Sequence, residues 1–222
     1  MQNLVITELS KSFGSKIIAD NLNLQLNTGE ITAIFGRNGS GKSTILKTLF
    51  STLRADNIKL ELNRSPIKVK DIIPKSIIGH LPQEPFLPAR LKVRDIIPLY
   101  FKGDLQDKLF YADGIPKIAN TVAGKLSMGE LRYFELLLVG NLNHPFLLLD
   151  EPFSMVEPLY KEKIKEFLIR LTDTKGIIVT DHYYKDVLSI SNKNYLLKDG
   201  KLINIIGEVE LISEGYLPTP KI

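Results

Sequence analysis

Residues Ile31-Thr32-Ala33-Ile34-Phe35-Gly36-Arg37-Asn38-Gly39-Ser40-Gly41-Lys42-Ser43-Thr44 decide the fold. A short apolar strand runs directly into a Gly-x-x-x-x-Gly-Lys-Ser loop, and a helix is expected over residues 43–53 with Ile45, Leu46 and Leu49 on one face. Strand, glycine-rich loop and helix in that order make a phosphate-binding loop. Its glycines let the backbone turn inward so that successive N–H groups surround a phosphate, and the helix adds the positive end of its dipole. Gly36, Arg37, Asn38, Gly39, Ser40, Gly41, Lys42, Ser43 and Thr44 are therefore the candidate nucleotide-binding residues. Lys42 is expected to reach the β- and γ-phosphates and Ser43 to ligate Mg²⁺.

A loop of this kind needs an acidic partner at the end of a second buried strand. Phe146-Leu147-Leu148-Leu149 is a continuous apolar run, as expected of a parallel strand covered on both faces, and Asp150-Glu151-Pro152 follows it. Asp150 is expected to hold the metal through water, and Glu151 to orient or deprotonate an attacking water. Residues 176–180 read as another buried strand, ending at Thr180-Asp181-His182. Between these two strands, residues 157–171 carry Ile164, Phe167, Leu168 and Leu171 at helical spacing.

Outward from this centre the signals weaken. Residues 4–9, 17–18 and 22–26 are strand-like. Strict alternation in Leu22-Asn23-Leu24-Gln25-Leu26 predicts an antiparallel piece with one wet face. The stretch from 74 to 98 is proline-rich and reads as a loop region, with a short helix after it near residues 105–112. Ser127 followed by Glu130 forms a capping-box pattern that opens an apolar helix to about residue 142. Residues 195–206 read as a hairpin on an Asp199-Gly200 turn, and the tail from 215 to 222 as loosely held.

The chain of 222 residues is 44% hydrophobic, enough to bury a sizeable core. It has no cysteine, which excludes disulfides and thiolate metal sites. The start, Met1-Gln2-Asn3-Leu4-Val5, lacks a basic, apolar leader, and no apolar run approaches the ~20 residues of a membrane span, so a soluble, cytoplasmic protein is expected. The net charge is +4, but lysines between 59 and 75 and at 161, 163 and 165 alternate with acids and apolar residues. They read as solvated surface, and no nucleic-acid partner is expected.

With both motifs in place, nearly the whole chain resembles the nucleotide-binding subunits of ABC transporters. Leu126-Ser127-Met128-Gly129-Glu130 resembles that family's signature, usually Leu-Ser-Gly-Gly-Gln. The resemblance implies that Ser127 and Gly129 meet the γ-phosphate of ATP held by a second subunit, in a head-to-tail homo- or heterodimer. It implies that Gln83 touches the metal and the attacking water, that His182 contacts the γ-phosphate, and that Phe13 stacks on adenine. It also implies an integral membrane permease as partner and a place on the cytoplasmic face of the membrane. The fold implied is α/β: a P-loop NTPase core with a mainly parallel sheet, an N-terminal antiparallel β subdomain and a small α-helical subdomain. We expect core and β piece over about 1–83 and 143–214, and helices over about 84–142.

Three features depart from the family pattern. Met128 replaces the first signature glycine and Glu130 the glutamine. Ser154-Met155-Val156-Glu157 stands where Ser-Ala-Leu-Asp is usual. The stretch from 83 to 126 is short for the helical part. Lys42, Gln83, Asp150, Glu151 and His182 are all present, so the site is expected to hydrolyse ATP. The same motifs also fit a soluble ABC ATPase without a transporter, or a weakly hydrolysing nucleotide-dependent switch.

Overall fold

Alternate residues of the buried strands face opposite ways, and this single fact builds two cores. In a computed structural model, which describes residues 1–218, β3 (Ile31–Phe35), β7 (Phe146–Asp150) and β8 (Gly176–Thr180) are buried along their whole length. Leu147 and Leu149 point into one cluster while Phe146 and Leu148 point into the other. These strands lie in a six-stranded sheet of order β10-β9-β3-β8-β7-β6, with β6 (Ile78–Leu81), β9 (Lys193–Lys198) and β10 (Lys201–Ile205) completing it. All its pairings are parallel except β9 with β10, whose Asp199-Gly200 turn has both residues at positive φ, as the Asp-Gly signal predicted.

One face of this sheet is covered by α1 (Lys42–Leu49) and by a second, antiparallel sheet of order β2-β1-β4-β5. That sheet comprises β1 (Asn3–Phe13), β2 (Lys16–Asn27), β4 (Asn57–Leu62) and β5 (Ser65–Ile67). The expected alternation holds: Leu22, Leu24 and Leu26 are buried between exposed Asn23 and Gln25. Ile45, Leu46 and Leu49 of α1 fill the space between the two sheets.

The other face is covered by helices. Between β6 and β7 the chain runs through α2 (Val93–Tyr100), α3 (Asp104–Phe110), α4 (Ile115–Ile118) and α5 (Met128–Asn141). α6 (Pro158–Leu171) packs on α5 through Ile164, Phe167, Leu168 and Leu171, the residues its spacing picks out. α7 (Tyr184–Leu188) and α8 (Glu208–Ser213) close the chain. Among the described residues, no helix is long and apolar enough to cross a membrane.

Several expectations are corrected. α1 stops at Leu49 rather than near residue 53, because Ser51 takes φ 69° and the N–H groups of Thr52 and Leu53 both turn back to the carbonyl of Lys47. The 17–18 and 22–26 segments are one strand, β2. The proline-rich stretch from 74 to 98 is not all loop: it holds edge strand β6 and most of α2, whose Pro98 lies in the last turn, where the helix is about to end. The lysine-rich stretch after residue 57 contains β4 and β5, with exposed Lys59 and Glu61 flanking buried Leu60. Of the tail expected to be loose, residues 215–217 are held: Tyr216 lies 6.1 Å from the Phe35 ring and the Arg37 guanidinium donates to the Gly215 carbonyl at 2.7 Å. Residues 219–222 of that tail lie outside the described residues.

Leu148 is wholly buried in β7 among Ile34, Ile178 and α1. Leu148→Ala should lower unfolding free energy by about 2–5 kcal/mol, read as a lower urea midpoint at unchanged slope.

Candidate active site

Parallel pairing brings the carboxyl ends of β3, β8 and β7 to one edge, and each end carries part of the site. The loop after β3 wraps into α1. Gly41 precedes the helix with φ 108°, a left-handed conformation that a side chain would strain, and a Cβ there would also strike Ile18. Lys42 is buried, and its Nζ donates to the carbonyls of Gly36 at 2.7 Å and Arg37 at 3.4 Å. Burial pushes its pKa down, while Glu151, Asp150 and Asp181 pull it up. A cationic end stretched across the mouth of the loop, with three carboxylates behind it, favours polyanions in the loop.

A cleft of about 450 Å³ opens over this loop. Of the sequence-predicted residues, Phe13, Asn38, Gly39, Gly41, Lys42, Ser43, Thr44, Gln83, Glu151 and His182 line it. Gly36, Arg37 and Ser40 do not: Arg37 points to the tail and Ser40 lines a separate pocket beside Leu197 and Tyr216. Phe13 is 51% exposed at the cleft mouth, so it is no core residue. Its turn is pinned by Asp56, which accepts from the Ser12 N–H at 2.7 Å and from the Ser12 hydroxyl at 2.8 Å. Lys11 then sits 4.8 Å from the Phe13 ring centroid.

Glu151 is the hub. Its Oε2 accepts from Gln83 Nε2 at 3.1 Å and from Ser154 Oγ at 3.0 Å, and lies 3.7 Å from His182 Nδ1. Its backbone is held at φ 53°, unfavourable for a residue with a side chain, by donation to the Thr180 carbonyl at 2.7 Å. One residue earlier, Asp150 Oδ1 accepts from Thr180 Oγ1 at 2.7 Å, while its buried Oδ2 has no protein partner. Ser127 caps α5 with both halves of the capping box made: its Oγ accepts from Glu130 N at 3.2 Å, and its N–H donates to Glu130 Oε2 at 2.8 Å. Ser127 and Gly129 do not line the cleft of their own chain. Met128, 40% exposed, lines a smaller pocket beside Gln83, Glu151 and His182.

Two sets of residues escaped the sequence reading. Asp181 is wholly buried. Its carboxylate accepts from Phe153 N at 2.8 Å and Tyr183 N at 2.9 Å, joining the loops that carry Glu151 and His182, and burial pushes its pKa up. Arg132 and Glu135 are buried on α5. Arg132 donates to the carbonyls of Pro82 at 2.6 Å, Glu151 at 3.3 Å and Asp150, and Glu135 accepts from Phe86 N at 2.9 Å. Two charges inside the apolar run 131–139 were the available signal.

A strand-loop-helix cradle, an acid pair two strands over and a histidine in the loop after the strand between them define a P-loop ATPase. Residues 19–154 match the profile of the ABC transporter family, and the chain belongs to it. The lipopolysaccharide export system ATP-binding protein LptB of Haemophilus influenzae is 29% identical over 217 residues, covering 91% of this chain and 90% of that one. Its Escherichia coli K12 counterpart is 28% identical, covering 98% and 95%. A solved ATP-binding cassette of an ABC transporter in its ADP conformation superposes with TM-score 0.81 at 22% identity, covering 97% of this chain and 96% of that one. The chain is thus the ATP-binding subunit of an ABC transporter, an ATPase that powers a membrane transporter, as its motifs implied.

His80, on β6 just before Gln83, stacks 5.0 Å from Phe50, and its buried Nε2 has no partner. Burial lowers its pKa from 6.5 to about 4. As pH falls through 6.5 the unfolded chain takes up a proton that the folded chain refuses until about 4, so stability is lost over that window. Between pH 7 and pH 5 this side chain should cost about 2 kcal/mol, and urea titrations of His80→Gln should show that much less loss.

Proposed function

We propose that the chain works as half of a head-to-tail ATPase pair, in which each subunit's cleft is completed by the Ser127 end of the other. The convergence of Gln83, Ser154 and His182 on Glu151 Oε2 carries this reading, because it assembles a water-handling group beside a phosphate loop whose cleft the signature of the same chain does not line. Ser127 stands outside its own cleft, exposed at the N-terminus of α5, where free N–H groups and the helix dipole suit an incoming phosphate.

In this reading Phe13 stacks on adenine, the backbone of residues 36–44 cradles the phosphates, and Lys42 reaches the β- and γ-oxygens. Glu151 takes the proton of the attacking water, Gln83 orients that water, and His182 donates to the γ-phosphate. The residues fit Mg²⁺. Asp150 Oδ2 is a buried carboxylate oxygen without a partner, which suits a cation or its water. Ser43, Asp150 and Gln83 would hold the ion, which neutralises phosphate charge when bound. Among the described residues no three His, Cys, Asp or Glu side chains converge to hold a metal alone, so the phosphate's own oxygens would complete its shell.

The unit divides, on this proposal, into a core over about 1–83 and 143–214 and a helical part over about 84–142. That division is supported by the absence of named strands between β6 and β7. Its partners are a second ATPase subunit and an integral membrane permease, which places the chain on the cytoplasmic face of the membrane.

Glu151→Gln keeps the shape of the hub and removes the base. It should lower kcat at least about 100-fold while ATP converts the protein to a dimer on gel filtration. Full retained turnover would remove Glu151 from the catalytic role. Absence of an ATP-dependent dimer in this variant would defeat the head-to-tail arrangement. Met128→Gly should raise turnover if the side chain over the smaller pocket slows closure, and unchanged kcat would clear Met128 of that effect.

A further inference from the structure

We infer that the buried Arg132–Glu135 pair of α5 couples the two nucleotide sites, by tying the helix that offers Ser127 to the loops that carry Gln83 and Glu151. The inference rests on the head-to-tail reading. The pair is almost without solvent, with Arg132 at 5% and Glu135 at 0% exposure, and its members stand 3.5 Å apart. Nearly everything else it touches is main chain. Arg132 holds the carbonyls of Pro82, Asp150 and Glu151, and Glu135 holds the Phe86 N–H. Pro82 and Phe86 bracket Gln83, so both flanks of that residue and the backbone of the hub acid are fastened to one helix face.

Stability alone does not account for such a pair. Replacing a buried ion pair by well-packed apolar residues is often neutral or favourable. An apolar pair, however, cannot hold three carbonyls and an N–H of two separate loops in one register. α5 is a single helix whose N-cap is Ser127, so the grip at Arg132 and the cap belong to one rigid element. When a γ-phosphate draws Gln83 and Glu151 inward, the carbonyls of Pro82 and Glu151 move with them. Arg132 then carries α5, and with it the Ser127 that serves the partner's ATP. Arg132 and Glu135 act through these groups and touch no substrate, so they are positioning residues.

The test is the ATP dependence of hydrolysis by the purified full chain. The wild type should give a Hill coefficient above about 1.5. Arg132→Met/Glu135→Leu, an apolar pair chosen to preserve folding, should bring it to about 1 and raise half-saturating ATP severalfold. ADP affinity of the monomer should stay within about twofold of wild type, since neither residue lines the cleft. Glu135→Gln keeps an acceptor for the Phe86 N–H but loses the charge, and should fall between the two. A purely structural role would lower the folded fraction and kcat together and leave the Hill coefficient alone. A folded double variant, or Glu135→Gln should the double variant not fold, that retains wild-type cooperativity overturns the inference, and so does a wild type with a coefficient of 1. The ATP-dependent dimer of Glu151→Gln is scored separately. If it forms while the coupling fails, the head-to-tail reading stands and only the inference is lost.

Discussion

Parallel pairing of β3, β8 and β7 is the constraint on which the rest of the structure depends. With Ile34 opposite Thr180 and Thr180 opposite Asp150, three strand ends stop level with one another. The loop, the acid pair and the histidine that follow them are thereby delivered to one edge without long connections. The same register lets Thr180 serve twice, its hydroxyl on Asp150 and its carbonyl on the Glu151 N–H. That second bond holds Glu151 in the left-handed region, where a side-chain-bearing residue pays conformational energy of order 1–3 kcal/mol. A slip of one residue in β8 would turn the Thr180 hydroxyl away from Asp150 and release the Glu151 N–H together.

How much of this could be read from the chain depends on whether the cause is local. β3, β7, β8 and α6 are signalled by their own composition and spacing, and their bounds follow. The loop at 36–44 is legible because glycine positions and the lysine are dictated by phosphate geometry alone. By contrast, β4 exists because it pairs with β1, β5 because it pairs with β4, and β6 because it lies beside β7. Short strands interrupted by glycine, proline or charged residues carry little local signal. The strain at Glu151, the capture of Phe153 and Tyr183 by Asp181, and the seat of Tyr216 on Phe35 all depend on residues distant in sequence. None leaves a periodic mark.

The site also shows how buried polarity is arranged to serve geometry. Asp181 and Arg132 bind mostly main-chain groups, so they fix loop paths and leave the working side chains free to meet ligand. Their charges are held away from water by the two cores, which raises the cost of leaving either unpaired. Lys42 follows the same logic. Burial disfavours its cation, and the carboxylates of Glu151, Asp150 and Asp181 oppose that loss.

The signature departure takes on a physical meaning from the packing of α5. A Cβ on Gly129 would run into the carboxylate of Glu157 and stand 2.9 Å from the Tyr160 ring, so a side chain there would have to displace both at the start of α6. Met128, one position earlier, is 40% exposed and lines the smaller pocket. The two positions that are both glycine in the usual signature are thus under different constraints in this chain. Gly129 faces Glu157 and Tyr160 of its own α6, while Met128 lies on the exposed side. Glu157 contributes to both helices: its backbone caps α6, with its carbonyl accepting from Tyr160 and Lys161, and its carboxylate lies over Gly129. Glu157 and Gly129 therefore share one contact between α5 and α6, and the bulk at 128 lies outside it.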